Sequence, residues 1–312
     1  MQNSPIRIGT RESQLAVWQA RLVKKLLENN GHTAELVYIK SEGDVDLVTP
    51  LYAMGVQGVF TRSLDIALLN NKIDIAVHSM KDVPVQLPEG IAQAAVLKRA
   101  NYKDILVVNW MGGADQESIE ALLTTHHSPL AIATSSIRRR AQWLNRYPDT
   151  IIENLRGNVN TRLKKVAESN WDGAIFAAAG LERIHLRPEN SIDLDWMLPA
   201  PAQGAIMIVA KDSDTAILEA CAVLNDSITA TCVKIERDFL SALMGGCSTP
   251  ISALAVIDND RMIFKGNITS TDGKEKVEVK KDFDKKDFQD AGKWAADEIF
   301  LKDVKGVLKK IA

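Results

Sequence analysis

The stretch PAPAQGAIMIVA, from Pro199 to Ala210, decides how this chain is divided. Pro199 and Pro201 cannot donate to a sheet ladder, and Gly204 suits a bend, so its first half is a connector. The apolar run from Ala205 to Ala210 that follows reads as a buried strand. A proline-marked connector delivering such a strand reads as a crossing between two bodies. An earlier break lies near Arg99 to Lys103, between two strand runs.

Outward from these crossings, short apolar runs alternate with helix-period segments over the first two-thirds of the chain. Ile6 to Gly9, Ala34 to Lys40, Ile73 to His78, Asp104 to Val108, Ala131 to Ala133, Thr150 to Asn154 and Ala174 to Ala177 are strand candidates. Ser13 is a candidate cap for a helix with apolar positions at Leu15, Trp18, Leu22 and Leu26, stopped by Gly31. Helical patterns also cover Phe60 to Asn70, Ile137 to Leu144 and Val159 to Glu168. One sheet would need too many strands, so two α/β domains are expected. The character then changes. Helices at Thr215 to Leu224 and Thr229 to Leu243 precede strands at Ser252 to Asp258, Met262 to Thr269 and Lys276 to Asp282. The D-N-D and T-D-G turns between those strands suit an antiparallel meander, and Phe288 to Ile311 reads as a helical tail. This is a small α+β third domain.

The 312 residues carry 38 Lys plus Arg against 40 Asp plus Glu, a net charge of -2. That balance argues against a wholly basic nucleic-acid or membrane-coating surface. Cys221, Cys232 and Cys247 are odd in number and lack C-x-x-C spacing, which disfavours a disulfide framework or a zinc site. There is no apolar signal core at the N-terminus and no run long enough for a membrane span, so a soluble cytoplasmic protein is expected.

The average conceals a concentration of arginine. Thirteen of fifteen lie before residue 188, and residues 131–187 carry a local charge of +5. Arg11, Arg138, Arg139, Arg156 and Arg162 follow predicted strands, at the carboxyl ends where open α/β sheets bind ligands. Ser13, Thr134, Ser135 and Ser136 sit at adjoining helix starts, which favour anions. Surface arginines in salt bridges of about 0–1 kcal/mol are the ordinary alternative. Five at equivalent positions favour a polyanionic ligand held by guanidinium forks.

Two further features carry chemistry. In HSMKDVP, His78 to Pro84, Lys81 and Asp82 emerge from a buried strand. Asp82 is a candidate acid, base or cation stabiliser, with a structural turn aspartate paired to Lys81 equally open. His78 reads as a core histidine. Cys247 follows two glycines after a helix, where a thiolate would be accessible as a nucleophile, although a lone loop cysteine is more often inert. Cys221 and Cys232 read as core fillers. No dinucleotide or P-loop glycine pattern occurs, and the five histidines show no metal-ligand spacing.

Taken in order, GTRES at Gly9 to Ser13, HSMKDVP, TSSIRR at Thr134 to Arg139, LRGNVNTR at Leu155 to Arg162, AGLER at Ala179 to Arg183 and the GGC ending at Cys247 resemble the porphobilinogen deaminase (hydroxymethylbilane synthase) family. The resemblance spans roughly residues 5–255. It implies two doubly wound lobes like those of type II periplasmic binding proteins, plus a small α+β C-terminal domain with a three-stranded antiparallel sheet. The implied division is residues 1–100 with 200–221, 104–198, and 226–312. The implied activity is head-to-tail condensation of four porphobilinogen molecules with release of ammonia. It is primed by a dipyrromethane cofactor attached covalently through Cys247. By resemblance, Asp82 is catalytic. Lys81, Ser13, Thr134, Ser135, Arg138, Arg139 and Arg162 bind the cofactor, and Arg11, Arg156, Arg183 and Gln203 bind substrate. The family also implies a monomer in tetrapyrrole biosynthesis whose product passes to uroporphyrinogen-III synthase, with no metal, nucleic-acid or membrane partner.

Three positions depart from the family pattern. Gln57 stands where a lysine is frequent, with Arg62 a candidate substitute. Ala202 replaces a usual glycine, and Met244 replaces a common glutamate. Two rival readings are a non-catalytic anion-binding module, which needs neither Asp82 nor Cys247, and a nucleic-acid binder using Arg138 to Arg140. The latter lacks interleaved aromatics.

Overall fold

The computed structural model describes residues 4–40, 61–109, 129–243, 249–303 and 306–311. The first sheet contains β1 (Ile6–Thr10), β2 (Ala34–Tyr38), β3 (Ile75–Ser79), β4 (Ile91–Val96) and β10 (Ile206–Lys211). Its order is β2-β1-β3-β10-β4, with β10 antiparallel to both neighbours. The second sheet contains β5 (Asp104–Val108), β6 (Ala131–Ala133), β7 (Ile151–Glu153), β8 (Gly173–Ala177) and β9 (Ser191–Asp193). Its order is β7-β6-β8-β5-β9, and here β5 is the antiparallel strand. The two orders are the same pattern. In each lobe the reversed strand is the one that the chain delivers from the other lobe. The expected crossings therefore build the two sheets as well as joining them.

Period-two alternation lets each sheet bury both faces. In the first lobe, Ile75, Val77, Ile206 and Ile208 face the helix Gln14–Asn29 and the helix Thr215–Ala222. Ala76, Met207 and Val209 face the helix Arg62–Leu69 and Val233. In the second lobe, Ile105, Val107 and Phe176 pack with the helix Val159–Glu168, while Leu106, Val108 and Ile175 pack around Trp143 of the helix Ile137–Arg146. The third sheet, β11 (Ile251–Asp258), β12 (Arg261–Thr269) and β13 (Lys276–Asp284), is an antiparallel meander. Phe239 of the helix Ser227–Ala242 and Ala295 and Ile299 of the helix Ala291–Lys302 cover it.

Several local expectations shift. β4 escapes a sequence reading because Ala92, Ala94 and Ala95 blur the alternation of apolar and polar residues. β9 is a three-residue edge strand, too short to carry a pattern. The tail is broken into Ala291–Lys302 and Val307–Ile311. On the first helix the stripe rotates: Gln19, Ala20, Val23 and Leu27 are buried, while Leu15, Trp18, Leu22 and Leu26 are only partly so.

Among the described residues, no single helix is long and apolar enough to cross a membrane. Only the pair Thr215–Ala222 and Ser227–Ala242, bent by 111°, passes on length and composition, and both contribute buried residues to the cores above.

Candidate active site

The two crossings lie side by side between the lobes. Ala100 N–H donates to the Gly204 carbonyl at 3.1 Å, and Arg99 Nε donates to the Gln203 carbonyl at 2.8 Å. Gly204 has φ +88, and a Cβ there would sit 2.8 Å from the Ala100 carbonyl oxygen, so only glycine lets the strands approach this closely. Ala202, two residues earlier, holds the left-handed region at φ +62. That conformation favours glycine over alanine on steric grounds.

One buried carboxylate organises the junction. Asp104, the first residue of β5, is fully buried. Arg139 Nε and Nη2 donate to its Oδ1 at 3.0 and 2.7 Å, and Arg138 Nη2 lies 2.8 Å from its Oδ2. Gln203 Nε2 also donates to Asp104 Oδ1, at 2.9 Å, while Gln203 Oε1 accepts from Lys81 Nζ at 3.3 Å. The chain Lys81–Gln203–Asp104–Arg138/Arg139 thus runs from one lobe through a crossing into the other. Burial alone would raise the Asp104 carboxyl, but Arg138, Arg139, Lys81 and Gln203 bring it down to about 2. Burial pushes the Lys81 ammonium down to about 8, with Asp82 and Asp104 opposing and Arg139 and Arg138 reinforcing.

Beside this junction, β3 ends and the chain makes a 3-10 turn, Met80–Asp82, before Pro84. Asp82 lines a pocket with Arg11, Ser13, Gln19, Thr61, His78 and Ser79. Arg11 enters as the residue after β1. Ser13 caps the helix Gln14–Asn29, its hydroxyl accepting from Ala16 N–H at 3.4 Å. Gln19 Nε2 donates to Ser79 Oγ at 2.9 Å. His78 is buried, and burial together with Arg11 pushes its imidazole down to about 4, so it is neutral at pH 7.

The other lobe faces this pocket with a second helix start. Asn158 caps the helix Val159–Glu168, and Asn160 Nδ2 reaches across to Gln14 Oε1 at 2.8 Å. Two helix N-termini therefore meet at the cleft, and the positive ends of both helix dipoles favour an anion there. Arg162 lies on the second of these helices, its Nε donating to the Gly157 carbonyl at 2.7 Å. Burial, reinforced by Arg139 and Arg156, pushes its guanidinium down to about 10, and the charge of Asp82 opposes the fall.

The expected site residues thus fall into three groups. Arg11, Ser13 and Asp82 share the pocket, with Arg162 and Arg156 within charge reach. Lys81, Gln203, Arg138 and Arg139 form the junction beside it. Thr134, Ser135 and Arg183 have strong local roles. Thr134 Oγ1 accepts from Ser136 N–H at 3.2 Å, and Ser135 Oγ accepts from Leu155 N–H at 3.0 Å. Arg183 donates to the Gly204 carbonyl at 2.7 Å and lies 5.8 Å over the Trp18 ring, tying the lobes together. Cys247, Gln57 and Met244 lie outside the described residues. Cys221 and Cys232 are buried, and burial pushes their thiols up to about 12 and about 11.

Sequence reasoning passed over Asp104 and Gln19. An acid at the head of a five-residue buried strand was the signal for the first. For the second it was a glutamine on the buried face of an amphipathic helix.

Comparison with known proteins identifies the family of the chain. A family model described as porphobilinogen deaminase, dipyromethane cofactor binding domain, matches residues 6–219, and one for the porphobilinogen deaminase C-terminal domain matches 230–300. A porphobilinogen deaminase of Campylobacter hominis is 37% identical over 311 residues, covering 98% of this chain and 97% of that protein. One from Acidithiobacillus ferrooxidans is 40% identical over 273 residues, covering 86% of each. Among solved structures, an ancestral cationic amino acid solute binding protein aligns over 70% of this chain and 87% of its own. Its TM-score is 0.44 at 14% identity.

Proposed function

The chain belongs to the porphobilinogen deaminase family, and from that premise we propose how its residues share the work of hydroxymethylbilane synthesis. The enzyme condenses four porphobilinogen molecules head to tail with release of one ammonia per addition, and one water then cleaves off the product as linear hydroxymethylbilane. Each pyrrole carries an acetate and a propionate, so a dipyrromethane presents four carboxylates and the growing chain is a polyanion. The donor set of the cleft suits that charge: Arg11, Arg156 and Arg162, Lys81, and two helix N-termini.

Lys81, Ser13, Thr134, Ser135, Arg138, Arg139 and Arg162 would hold the dipyrromethane, tethered through a thioether to Cys247. When bound, it supplies the nucleophilic pyrrole carbon that starts the chain. The high thiol pKa values of buried Cys221 and Cys232 support Cys247 as the anchor. Arg11, Arg156, Arg183 and Gln203 orient the incoming porphobilinogen through its carboxylates.

Asp82 carries the chemistry. The incoming aminomethyl group is protonated, –CH2–NH3+, and as its C–N bond breaks the nitrogen keeps the bonding pair and leaves as ammonia. The substrate becomes an azafulvenium cation, and a carboxylate beside it stabilises that developing charge. The same group receives the proton released from the pyrrole carbon once the new C–C bond forms. The observation that carries this reading is that Asp82 shares one pocket with Arg11 and Ser13. Residues 1–100 with 200–221, 104–198 and 226–312 act as three domains, and the enzyme works as a cytoplasmic monomer supplying uroporphyrinogen-III synthase.

The test is turnover of porphobilinogen by Asp82→Asn, with ammonia and substrate counted together. The expected variant keeps a covalent dipyrromethane and loses most turnover. Turnover near that of the parent would remove Asp82 from the reaction.

A further inference from the structure

Arg237 lies on the helix Ser227–Ala242, which leads toward Cys247, yet its side chain does not serve the third domain's own core. It is 8% exposed and reaches into the first lobe. Its Nη1 donates to the Val83 carbonyl at 2.9 Å and lies 3.5 Å from the Met80 carbonyl oxygen. Its Nη2 donates to the Pro84 carbonyl and, at 3.1 Å, to that of Val85. Met80 opens the turn that carries Lys81 and Asp82, and Val83, Pro84 and Val85 follow it directly.

That turn needs an outside partner. Val83 N–H donates to the Met80 carbonyl at 3.1 Å, and Pro84 has no N–H to offer. Carbonyls that cluster inward away from water require donors. A guanidinium supplies several in a rigid plane, which an ammonium does not. The preceding residue anchors the same helix from the opposite side. Glu236 is fully buried, pairs with Arg99 at 2.6 Å and accepts from Ala202 N–H at 2.7 Å and Ala255 N–H at 2.8 Å. Glu236 fixes the helix to both crossings and to the third sheet, and Arg237 passes that placement on to the Asp82 turn.

We propose that Arg237 is a positioning residue for the condensation, holding the backbone that sets where Asp82 stands in its pocket. The inference rests on the reading of Asp82 as the catalytic carboxylate.

The experiment compares Arg237→Ala and Arg237→Lys with the parent enzyme by intact mass, thermal midpoint, kcat and KM. Displacing a reacting group by about 1 Å costs about 10²-fold in rate. Arg237→Ala is expected to keep the dipyrromethane adduct, lose about 10²-fold in kcat and hold KM within about threefold. Millimolar guanidinium should restore kcat about tenfold or more, where sodium chloride at equal ionic strength does not. Arg237→Lys keeps charge and bulk but not the fork. It should lose about tenfold in kcat at constant KM, and it decides the matter if the alanine variant does not fold. Parental kcat in either variant overturns the proposal. So does an Arg237→Ala loss that guanidinium leaves unchanged, or a loss that falls on KM alone. If Asp82→Asn is impaired while both Arg237 variants are parental, only this inference fails. If Asp82→Asn is fully active, the underlying reading fails instead.

Discussion

Asp104→Ala is the substitution whose consequence can be worked furthest from the geometry. The carboxylate is fully buried, 2.7 Å from Arg139 Nη2 and 2.8 Å from Arg138 Nη2, and it accepts from Gln203 at 2.9 Å. Its removal strands two buried guanidinium groups and breaks the link to Lys81. Breaking a buried pair by deleting one partner costs about 3–5 kcal/mol. Unfolding entropy of about 2.1 cal/mol/K per residue, over 312 residues, gives roughly 0.65 kcal/mol/K. The thermal midpoint should therefore fall by about 5–8 °C at pH 7 by scanning calorimetry. Asp104→Asn should lie near the same value, because its amide N–H groups would face the Arg138 donors. The difference is also pH-dependent. The folded Asp104 pKa, about 2, lies below its ordinary value of 3.8. Its stabilisation is thus complete above about pH 4 and is lost as pH falls toward 2. The gap between parent and Asp104→Asn should close over that window. A midpoint within about 1 °C of the parent at pH 7 would refute the argument that this carboxylate holds the junction together.

Three other outcomes follow from individual residues. His78 resists protonation down to about 4 while the unfolded chain takes up its proton near 6.5, so stability should decline as pH falls through that interval. Urea midpoints for His78→Gln should show a shallower decline, and an unchanged slope would assign the pH response elsewhere. Lys81 loses its proton near 8, so loading of the unmodified chain with dipyrromethane, followed by intact mass, should slow above that pH in the parent but not in Lys81→Arg; parallel profiles would contradict a charge contact with the cofactor. Ala202→Gly relieves a left-handed φ of +62. It also frees the unfolded backbone and removes a buried methyl, so the net change in stability should stay within about 1 kcal/mol. A loss of several kcal/mol would mean that Ala202 packs in a way its backbone does not reveal.

The legible part of the fold is the part encoded locally. Strands such as Ile73 to His78 and Asp104 to Val108 announce themselves through β-branched runs, and the prolines at 199 and 201 mark the second crossing. β4 does not, because alanines satisfy its buried positions as readily as they would a helix. The same division holds in the site. Arg11 and Ser13 are readable from one strand-to-helix junction. The pairing of Arg138 and Arg139 with Asp104 joins residues 34 and 35 apart in the chain, and the placement of β5 beside β8 brings them together. Recurrence of arginine at strand ends pointed to a polyanion site, and the structure places Arg11 in a pocket with Asp82. The recurrence did not show that two of those arginines are shared with a buried carboxylate. Arg237 is invisible on the same grounds, since its partners are backbone carbonyls 152 to 157 residues away.

The central claim is that a polyanionic pyrrole chain is built on Cys247 in this arginine-lined cleft. Intact-mass spectrometry of the denatured protein tests it most directly. The account predicts a mass excess equal to two porphobilinogen units less two molecules of ammonia, absent in Cys247→Ser and retained in Asp82→Asn. A fully active parent enzyme at its unmodified sequence mass, or an adduct that survives in Cys247→Ser, would contradict it.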